Sequence, residues 1–184
     1  MKLIIRLAAA LALVVAAAVA LPAIAAAPTG TPHLLLQVKN GTIDIELEPN
    51  LAPQTVKQII TLTDQGFYNG LKFHRVIDGF MAQTGDPKGD GSGGSSLPNI
   101  KAEFTATPFV RGTVGMARAE DPDSANSQFF IMFGDGSFLN GKYTVFGKVV
   151  AGMDAADKIK RGNPDDNGTV TDPDKTISAK IDYK

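Results

Sequence analysis

A glycine-rich segment, residues 89–94 of this 184-residue chain, is the first candidate for a functional site. Its spacing, G-x-G-x-x-G, is the one with which a loop and the following helix N-terminus bind the pyrophosphate of a dinucleotide. The next residues, Ser95-Ser96-Leu97-Pro98-Asn99, are typical of a loop and not of a helix. Because the pattern lacks that helix, the sequence does not predict a nucleotide site here.

A second segment, residues 163–174, matches part of the spacing of a calcium-binding loop. Its matching positions are Asn163, Asp165, Asn167, Gly168 and Asp174. Asn stands at the first position where such loops begin with Asp, Asp174 replaces the bidentate Glu, and Pro173 with a strand after it leaves no exit helix. A solvated acidic turn is the default interpretation, and calcium binding by this segment stays open.

Composition removes several classes of active site. The chain has no cysteine and only two histidines, His33 and His74. It therefore has no disulfide framework, no thiolate nucleophile, no cysteine-based zinc or iron–sulfur site and no histidine-rich metal site. No serine lies in the G-x-S-x-G context of a hydrolase nucleophile. The formal charge of −1 gives no electrostatic basis for binding nucleic acid. We expect no metal, no cofactor and no nucleic-acid partner.

The N-terminus, residues 1–25, has the three regions of a secretory signal peptide. Lys2 and Arg6 precede an apolar run over residues 7–21, and small residues follow, with cleavage expected near residues 25–27. The apolar run is shorter than the roughly 20 residues that span a bilayer. We therefore expect export and cleavage, not a retained membrane anchor, and no membrane association of the mature chain.

The rest of the chain has the pattern of several short strands and two helices. Two alternating segments flank Asn40-Gly41, which predicts a hairpin with a tight primed turn. Helical spacing predicts one helix from Pro53 to Gln65 and a second over residues 154–160. The other strand-like segments are residues 73–77, 113–118, 128–133, 143–150 and 177–183. This order of elements predicts a mainly β fold, a closed antiparallel barrel with one helix near each end.

Four blocks of sequence, in their order and spacing, resemble the cyclophilin family of peptidyl-prolyl cis-trans isomerases. They are residues 73–86, 112–118, 126–131 and 138–147. The resemblance extends from the first hairpin to Tyr183 and is similar above all to the exported bacterial type. It implies one domain over residues 33–184, folded as a closed eight-stranded antiparallel barrel capped by two α-helices. It also implies a periplasmic monomer that accelerates rotation about Xaa-Pro bonds in exported proteins during their folding.

The resemblance implies a substrate groove on the outer face of the barrel, bordered by the glycine-rich loop. Arg75 matches the catalytic arginine of the family's F-H-R motif. The residues implied to act in catalysis are Arg75, Phe80 and Gln83. Those implied to bind the proline-containing peptide are Met81, Ala117, Arg118, Phe130, Phe138, Leu139 and Tyr143.

Three of these positions depart from the family pattern. Arg118 replaces a common Asn, Tyr143 replaces a pocket His, and Phe138 replaces the indole side chain of many members. In sensitive members that indole donates a hydrogen bond to the inhibitor cyclosporin, and phenylalanine has no such donor. We therefore expect weak cyclosporin binding or none that is tight, and we expect catalysis to be independent of the donor.

Rotation about an imide bond breaks no covalent bond, so it needs no nucleophile, metal or acid–base pair. Two other interpretations remain. One is a non-catalytic chaperone or scaffold of the same fold that binds proline segments; the other is a barrel with an interior ligand, which the bulky Phe and Ile content disfavours. Arg75 favours the enzyme, because a pure binder has no evident need for a donor to a lone pair that exists only in the twisted state. His74 is interpreted as a hydrogen-bonded structural histidine, since nothing in this reaction requires proton transfer.

Overall fold

The computed structural model describes residues 29–184, and the predicted signal peptide lies outside them. Eight strands form one antiparallel sheet, in the order β3-β4-β6-β5-β7-β2-β1-β8. The strands are β1 (Pro32–Val38), β2 (Gly41–Leu47), β3 (Arg75–Ile77), β4 (Met81–Thr84), β5 (Thr113–Met116), β6 (Phe129–Met132), β7 (Val145–Ala151) and β8 (Ser178–Tyr183). The helices are α1 (Pro53–Asp64) and α2 (Met153–Ala156). The mainly β fold with eight antiparallel strands and two helices is thus confirmed.

The expectation of a closed barrel is wrong, because the sheet is an open, curled half-barrel whose edges are β3 and β8. The irregular segment 168–177 precedes β8 in the chain and hydrogen-bonds the edge strand β3 and the residues just before it. It accepts a 2.8 Å hydrogen bond from the Val76 N–H through the Gly168 carbonyl, and its Ile177 N–H donates to the Gln37 carbonyl at 2.7 Å. Its contacts with this side of the sheet are separate backbone hydrogen bonds and isolated bridges, such as Lys72–Lys175 and Arg75–Thr169, and not a ninth strand.

The hairpin of β1 and β2 is confirmed, but its turn lies one residue earlier than predicted. Val38 pairs with Gly41, so Lys39 and Asn40 are the central residues of the turn. Gly41 has φ 138°, whereas Asn40 is not among the described non-glycine residues with positive φ. The glycine therefore relieves strain at the start of β2, and a primed Asn-Gly turn is not what forms.

The first helix follows the prediction closely and the second is shorter. Pro53 lies in the first turn of α1, and the apolar residues Val56 and Ile59 face the core. The helical part of α2 is Met153–Ala156 and not residues 154–160, because the chain then turns and the Lys160 N–H donates to the Asp174 carboxylate at 2.8 Å. No helix among residues 29–184 is long and apolar enough to cross a membrane.

Two hydrophobic clusters lie on opposite faces of the sheet. On β6 the side chains of Phe129 and Ile131 join the main core inside the curl, while Phe130 and Met132 join a smaller cluster on the other face. All four residues of β6 are buried, two on each face of the sheet, so all four are apolar and do not alternate with polar residues. The interior of the curl is filled by side chains, and the smaller cluster forms the base of a groove on the outer face.

Candidate active site

All ten residues that the sequence singled out line one cavity of about 270 Å³ on the outer face of the sheet. They are Arg75, Phe80, Met81, Gln83, Ala117, Arg118, Phe130, Phe138, Leu139 and Tyr143. Strands β3, β4 and β6 supply the base, and loops after β5 and before β7 supply the opposite wall. The fold therefore brings together side chains that are up to 68 positions apart in the sequence, the difference between 143 and 75.

The base of the cavity is apolar and rigid. Met81, Phe130 and Leu139 are buried. The ring of Phe130 stacks on that of Phe109 with 5.6 Å between centroids, and the Tyr143 ring meets Phe130 edge-on at 6.1 Å. Aromatic pairs in these geometries hold one another in place. The result is an apolar depression with a rigid base.

Phe80 and Phe138 form the rim of the cavity, with their ring centroids 5.3 Å apart. Phe138 keeps 59% of its surface exposed, which is unusual for so large an apolar side chain. Both residues follow glycine-containing turns instead of lying in alternating strands. An exposed apolar rim next to a buried apolar base is typical of a site that receives a ligand.

Arg75 lies at the polar end of the cavity, held on two sides. It pairs with Gln83 across β3 and β4, and its Nη1 donates to the Gln83 Oε1 at 3.2 Å. Its Nε donates to the Asn167 carbonyl oxygen at 3.0 Å and its Nη2 to the Asn167 Oδ1 at 2.9 Å. Burial lowers the pKa of Arg75, and the Tyr143 phenol opposes this shift. Because arginine does not lose its proton in proteins, the group stays cationic.

Gln83 connects Arg75 to the glycine-rich loop through a second glutamine. Its Nε2 donates to the Gln128 Oε1 at 2.9 Å. The Gln128 Nε2 donates in turn to the carbonyl oxygens of Gly91 at 3.0 Å and Gly93 at 2.7 Å. The loop thus borders the groove, and a second cavity of about 460 Å³ beside it shares Gln83 with the first.

Residues 33–181 match the family described as cyclophilin type peptidyl-prolyl cis-trans isomerase/CLD. The chain belongs to the cyclophilin family. It is 57% identical over 169 residues to a probable peptidyl-prolyl cis-trans isomerase of Brucella suis, covering 86% of this chain and 85% of that one. It is 43% identical over 170 residues to peptidyl-prolyl cis-trans isomerase A of Dickeya dadantii, covering 87% and 88% of the two chains. The cyclophilin is therefore a peptidyl-prolyl cis-trans isomerase.

Solved structures of cyclophilins share its fold. A cyclophilin type isomerase of Cryptosporidium parvum superposes with a TM-score of 0.76 at 27% identity, covering 84% of this chain and 99% of the other. That protein was also crystallised in the presence of the dipeptide Ala-Pro. A cyclophilin of Hirschia baltica has a TM-score of 0.71 at 28% identity, covering 80% of this chain and 72% of the other.

In this cyclophilin two of the departures from the family pattern contact each other. The Arg118 guanidinium lies over the Tyr143 ring, 4.6 Å from its centroid. The same guanidinium donates to the Lys142 carbonyl oxygen from Nε at 3.2 Å and Nη2 at 3.0 Å, and to the Ala119 carbonyl oxygen from Nη1 at 2.7 Å. Arg118 thus joins the two loops of the groove wall, and its donors are largely engaged by the protein itself.

Several residues that shape the site were not singled out from the sequence. Asn167, Gln128 and Phe109 reach it from distant segments, so no local pattern identifies them. Asp86 holds the glycine-rich loop: its carboxylate accepts from the backbone N–H groups of Lys88, Asp90 and Gly91. Burial would raise the pKa of Asp86, but these bonds together hold it below its usual value. A motif of Asp followed by several glycines was the available signal for this turn.

The interpretation of His74 requires a correction. The ring is buried, as expected for a structural residue, but within residues 29–184 neither ring nitrogen has a hydrogen-bond partner of good geometry. Burial lowers its pKa, the nearby Asp86 charge raises it, and Arg75 lowers it further. The direction of this shift favours the neutral form of the ring.

Within residues 29–184 there is no group of three or more His, Asp and Glu side chains that could hold a metal ion. In the segment 163–174, the Asn163 Oδ1 accepts from the Asp165 N–H at 3.0 Å, and the Asn167 Oδ1 accepts from Arg75. These oxygens are engaged in a turn and in the groove.

Proposed function

We propose that this cyclophilin isomerises Xaa-Pro bonds of exported proteins in the periplasm, with Arg75 as its catalytic residue. The observation that carries the site assignment is the Arg75 guanidinium, held by Gln83 and Asn167 at the edge of an apolar depression. The crystal structure of the Cryptosporidium relative obtained in the presence of the dipeptide Ala-Pro supports a proline-containing peptide as the ligand. The basic, apolar and small-residue regions of the N-terminus support export.

The barrier to be lowered is that of amide resonance. It amounts to about 18 to 20 kcal/mol, which makes uncatalysed Xaa-Pro exchange take tens to hundreds of seconds. In the twisted transition state the prolyl nitrogen becomes pyramidal and its lone pair can accept a hydrogen bond. A donor directed at this nitrogen therefore stabilises the transition state more than either planar ground state.

Arg75 has the donors for this role. A guanidinium carries five N–H groups, and three of those of Arg75 are engaged by Gln83 and Asn167, which leaves one each on Nη1 and Nη2. A charge-assisted hydrogen bond contributes about 1.5 to 3 kcal/mol. Since each 1.36 kcal/mol changes a rate about tenfold, this bond accounts for roughly 10- to 150-fold. The second N–H can hold the proline carbonyl.

The apolar depression supplies the other part of the effect. A proline ring packed against Met81, Phe130 and Leu139 fixes one side of the bond while the other side turns. Displacing water also removes a solvent that favours the planar, charge-separated amide. On the opposite wall, neither the N–H nor the C=O of Arg118 makes a backbone hydrogen bond within residues 29–184. These groups can pair with an extended peptide.

The test of the site is cis–trans exchange of a proline tetrapeptide, measured by magnetisation exchange with the chain from residue 26 onward. We expect acceleration by the parent protein and a loss of kcat/KM of about tenfold or more for Arg75→Ala, at nearly unchanged melting temperature. Arg111→Ala is the control, because Arg111 pairs with Asp157 away from the groove. Equal turnover by Arg75→Ala and the parent would show that Arg75 is not catalytic, whereas peptide binding without acceleration by the parent would favour the chaperone.

Export is tested separately by fractionating a Gram-negative host that expresses the full chain. We expect the protein in the periplasmic fraction, with an N-terminus near residues 26–28. A full-length protein confined to the cytoplasm would overturn the proposed location and leave the enzymatic assignment intact.

A further inference from the structure

The acidic turn of residues 163–174 contacts the proposed catalytic residue directly. Asn167 accepts from Arg75 twice: its carbonyl oxygen lies 3.0 Å from Nε and its Oδ1 lies 2.9 Å from Nη2. One residue thus takes two of the five donors of the guanidinium along one edge of its plane. Two bonds to one partner fix the orientation of this plane more strictly than one bond can.

The turn that carries Asn167 is itself fixed to the strand that carries Arg75. The Val76 N–H donates to the Gly168 carbonyl at 2.8 Å, and the Gly162 N–H donates to the Val76 carbonyl at 2.9 Å. A Cβ added to Gly162 would lie 1.8 Å from the Gly168 carbonyl oxygen, so only glycine permits this close approach. Because Val76 follows Arg75 directly, the distance from Asn167 to the base of the arginine side chain is set by the backbone.

The conformation of Asn167 explains why this residue type suits the position. Its backbone is left-handed, with φ 50° and ψ 28°. Asparagine and glycine adopt this conformation more readily than other residues. The carbonyl and the Oδ1 of an asparagine in this turn both face the guanidinium, whereas glycine would offer the carbonyl alone.

We propose that Asn167 is a positioning residue for the isomerase: it holds the Arg75 guanidinium so that the two remaining N–H groups face the apolar depression. The inference rests on the proposed catalytic role of Arg75. An arginine without this contact keeps its charge and its bond to Gln83, but its outer nitrogen can swing away from the substrate. Loss of orientation reduces transition-state stabilisation more than ground-state binding, so the effect falls on kcat.

The test uses Asn167→Gly, which keeps the left-handed backbone and its carbonyl and removes the side-chain amide with its Oδ1 acceptor. We expect kcat on the tetrapeptide to fall about 3- to 10-fold with KM changed less than about 2-fold. Asp172→Gly is the matched control, because Asp172 has φ 52° in the same segment and an almost fully exposed side chain. It should keep the parent kcat. Asn167→Asp retains an acceptor oxygen and should restore most of the activity.

A double-mutant cycle separates this inference from the function on which it rests. In an Arg75→Ala background, Asn167→Gly should cause no further loss, since the residue acts through the arginine. If the two losses multiply, or if Asn167→Gly behaves like Asp172→Gly, the positioning role is wrong. If Arg75→Ala itself keeps full activity, the proposed catalytic role fails first, and the cycle shows which of the two has failed.

Discussion

The side-chain amide of Gln83 donates to that of Gln128 across 2.9 Å, so that β4 and the start of β6 are joined beneath the groove. The Gln83 Oε1 accepts a hydrogen bond from Arg75 Nη1. The Gln128 Nε2 donates to the Gly93 carbonyl oxygen in the glycine-rich loop. The Arg75 end of the groove and its glycine-rich border are thus parts of one hydrogen-bonded network. Changes in the loop are therefore expected to reach Arg75.

Gln128→Ala removes the hydrogen bond from Gln83 and those to the glycine-rich loop. We expect kcat/KM for the tetrapeptide to fall about 3- to 10-fold, because Gln83 loses the partner that fixes its amide. Gln128→Glu separates the two contacts: its carboxylate still accepts from Gln83 but does not donate to Gly91 and Gly93. The Gln128→Glu protein should have a less ordered glycine-rich loop and keep most of its kcat. Ser92→Ala in the same loop is the control, and an Ala variant at Gln128 as active as this control would contradict the prediction.

Gly115 gives the base of the pocket its shape. A Cβ at this position would lie 2.5 Å from the Phe109 ring and 2.9 Å from the Phe130 ring. We expect Gly115→Ala to destabilise the protein by about 1 to 3 kcal/mol, the usual cost of overpacking, and to weaken kcat/KM by pushing Phe130 into the proline site. Adding Phe109→Leu makes room and should restore part of both. Urea unfolding measures the change in stability, and the exchange assay measures the change in kcat/KM. If Gly115→Ala has the parent's values of both, the rings of Phe109 and Phe130 move aside without loss of stability or activity, and the prediction is wrong.

Phe138 sets the expected response to cyclosporin. Phe138→Trp adds an N–H donor on an exposed rim residue. A neutral hydrogen bond contributes about 0.5 to 1.5 kcal/mol, so the affinity for cyclosporin measured by titration calorimetry should rise about 2- to 10-fold. Turnover of the tetrapeptide should change less than about 2-fold. Phe138→Leu lacks the donor and should show no gain in affinity. Equal affinity of the Trp and Leu variants would mean that another residue limits inhibitor binding.

The buried ring of His74, with its lowered pKa, is expected to reduce the stability of the protein in mild acid. Burial lowers its pKa below 6.5 in the folded state, against the opposing charges of Asp86 and Asp90 and with the help of Arg75. Between the folded and the unfolded pKa the unfolded chain therefore binds more protons. The stabilising contribution is fully present above about pH 6.5, the unfolded value, and is lost as the pH falls toward the lower folded pKa. The free energy of unfolding in urea should decrease from pH 7.5 to 5 more steeply in the parent than in His74→Gln. Parallel slopes would show that another group titrates in this range.

Local patterns predicted the first hairpin, the first helix and most of the strands, although not β4, and the resemblance to the cyclophilins supplied the ten residues of the groove. Alternation and helical spacing are local properties, so they predict single elements and not how β3 pairs with β4. Arg75 and Gln83 are opposite each other because a short antiparallel turn joins their strands. The location of the groove on the outer face was implied by the resemblance to the cyclophilins and not by these local patterns.

The open edge of the sheet and the contacts that hold the Arg75 guanidinium could not be predicted from the sequence. Asn167 lies 92 positions from Arg75, and its segment resembles a degenerate calcium loop when viewed alone. Likewise, nothing local to Gly115 reveals that two aromatic rings meet above it. The open edge at β3 depends on how segment 168–177 packs against β3 and the residues just before it. Such contacts join residues far apart in sequence, so they exist only once the sheet has curled, whereas periodicity reports no more than which face of each element is apolar.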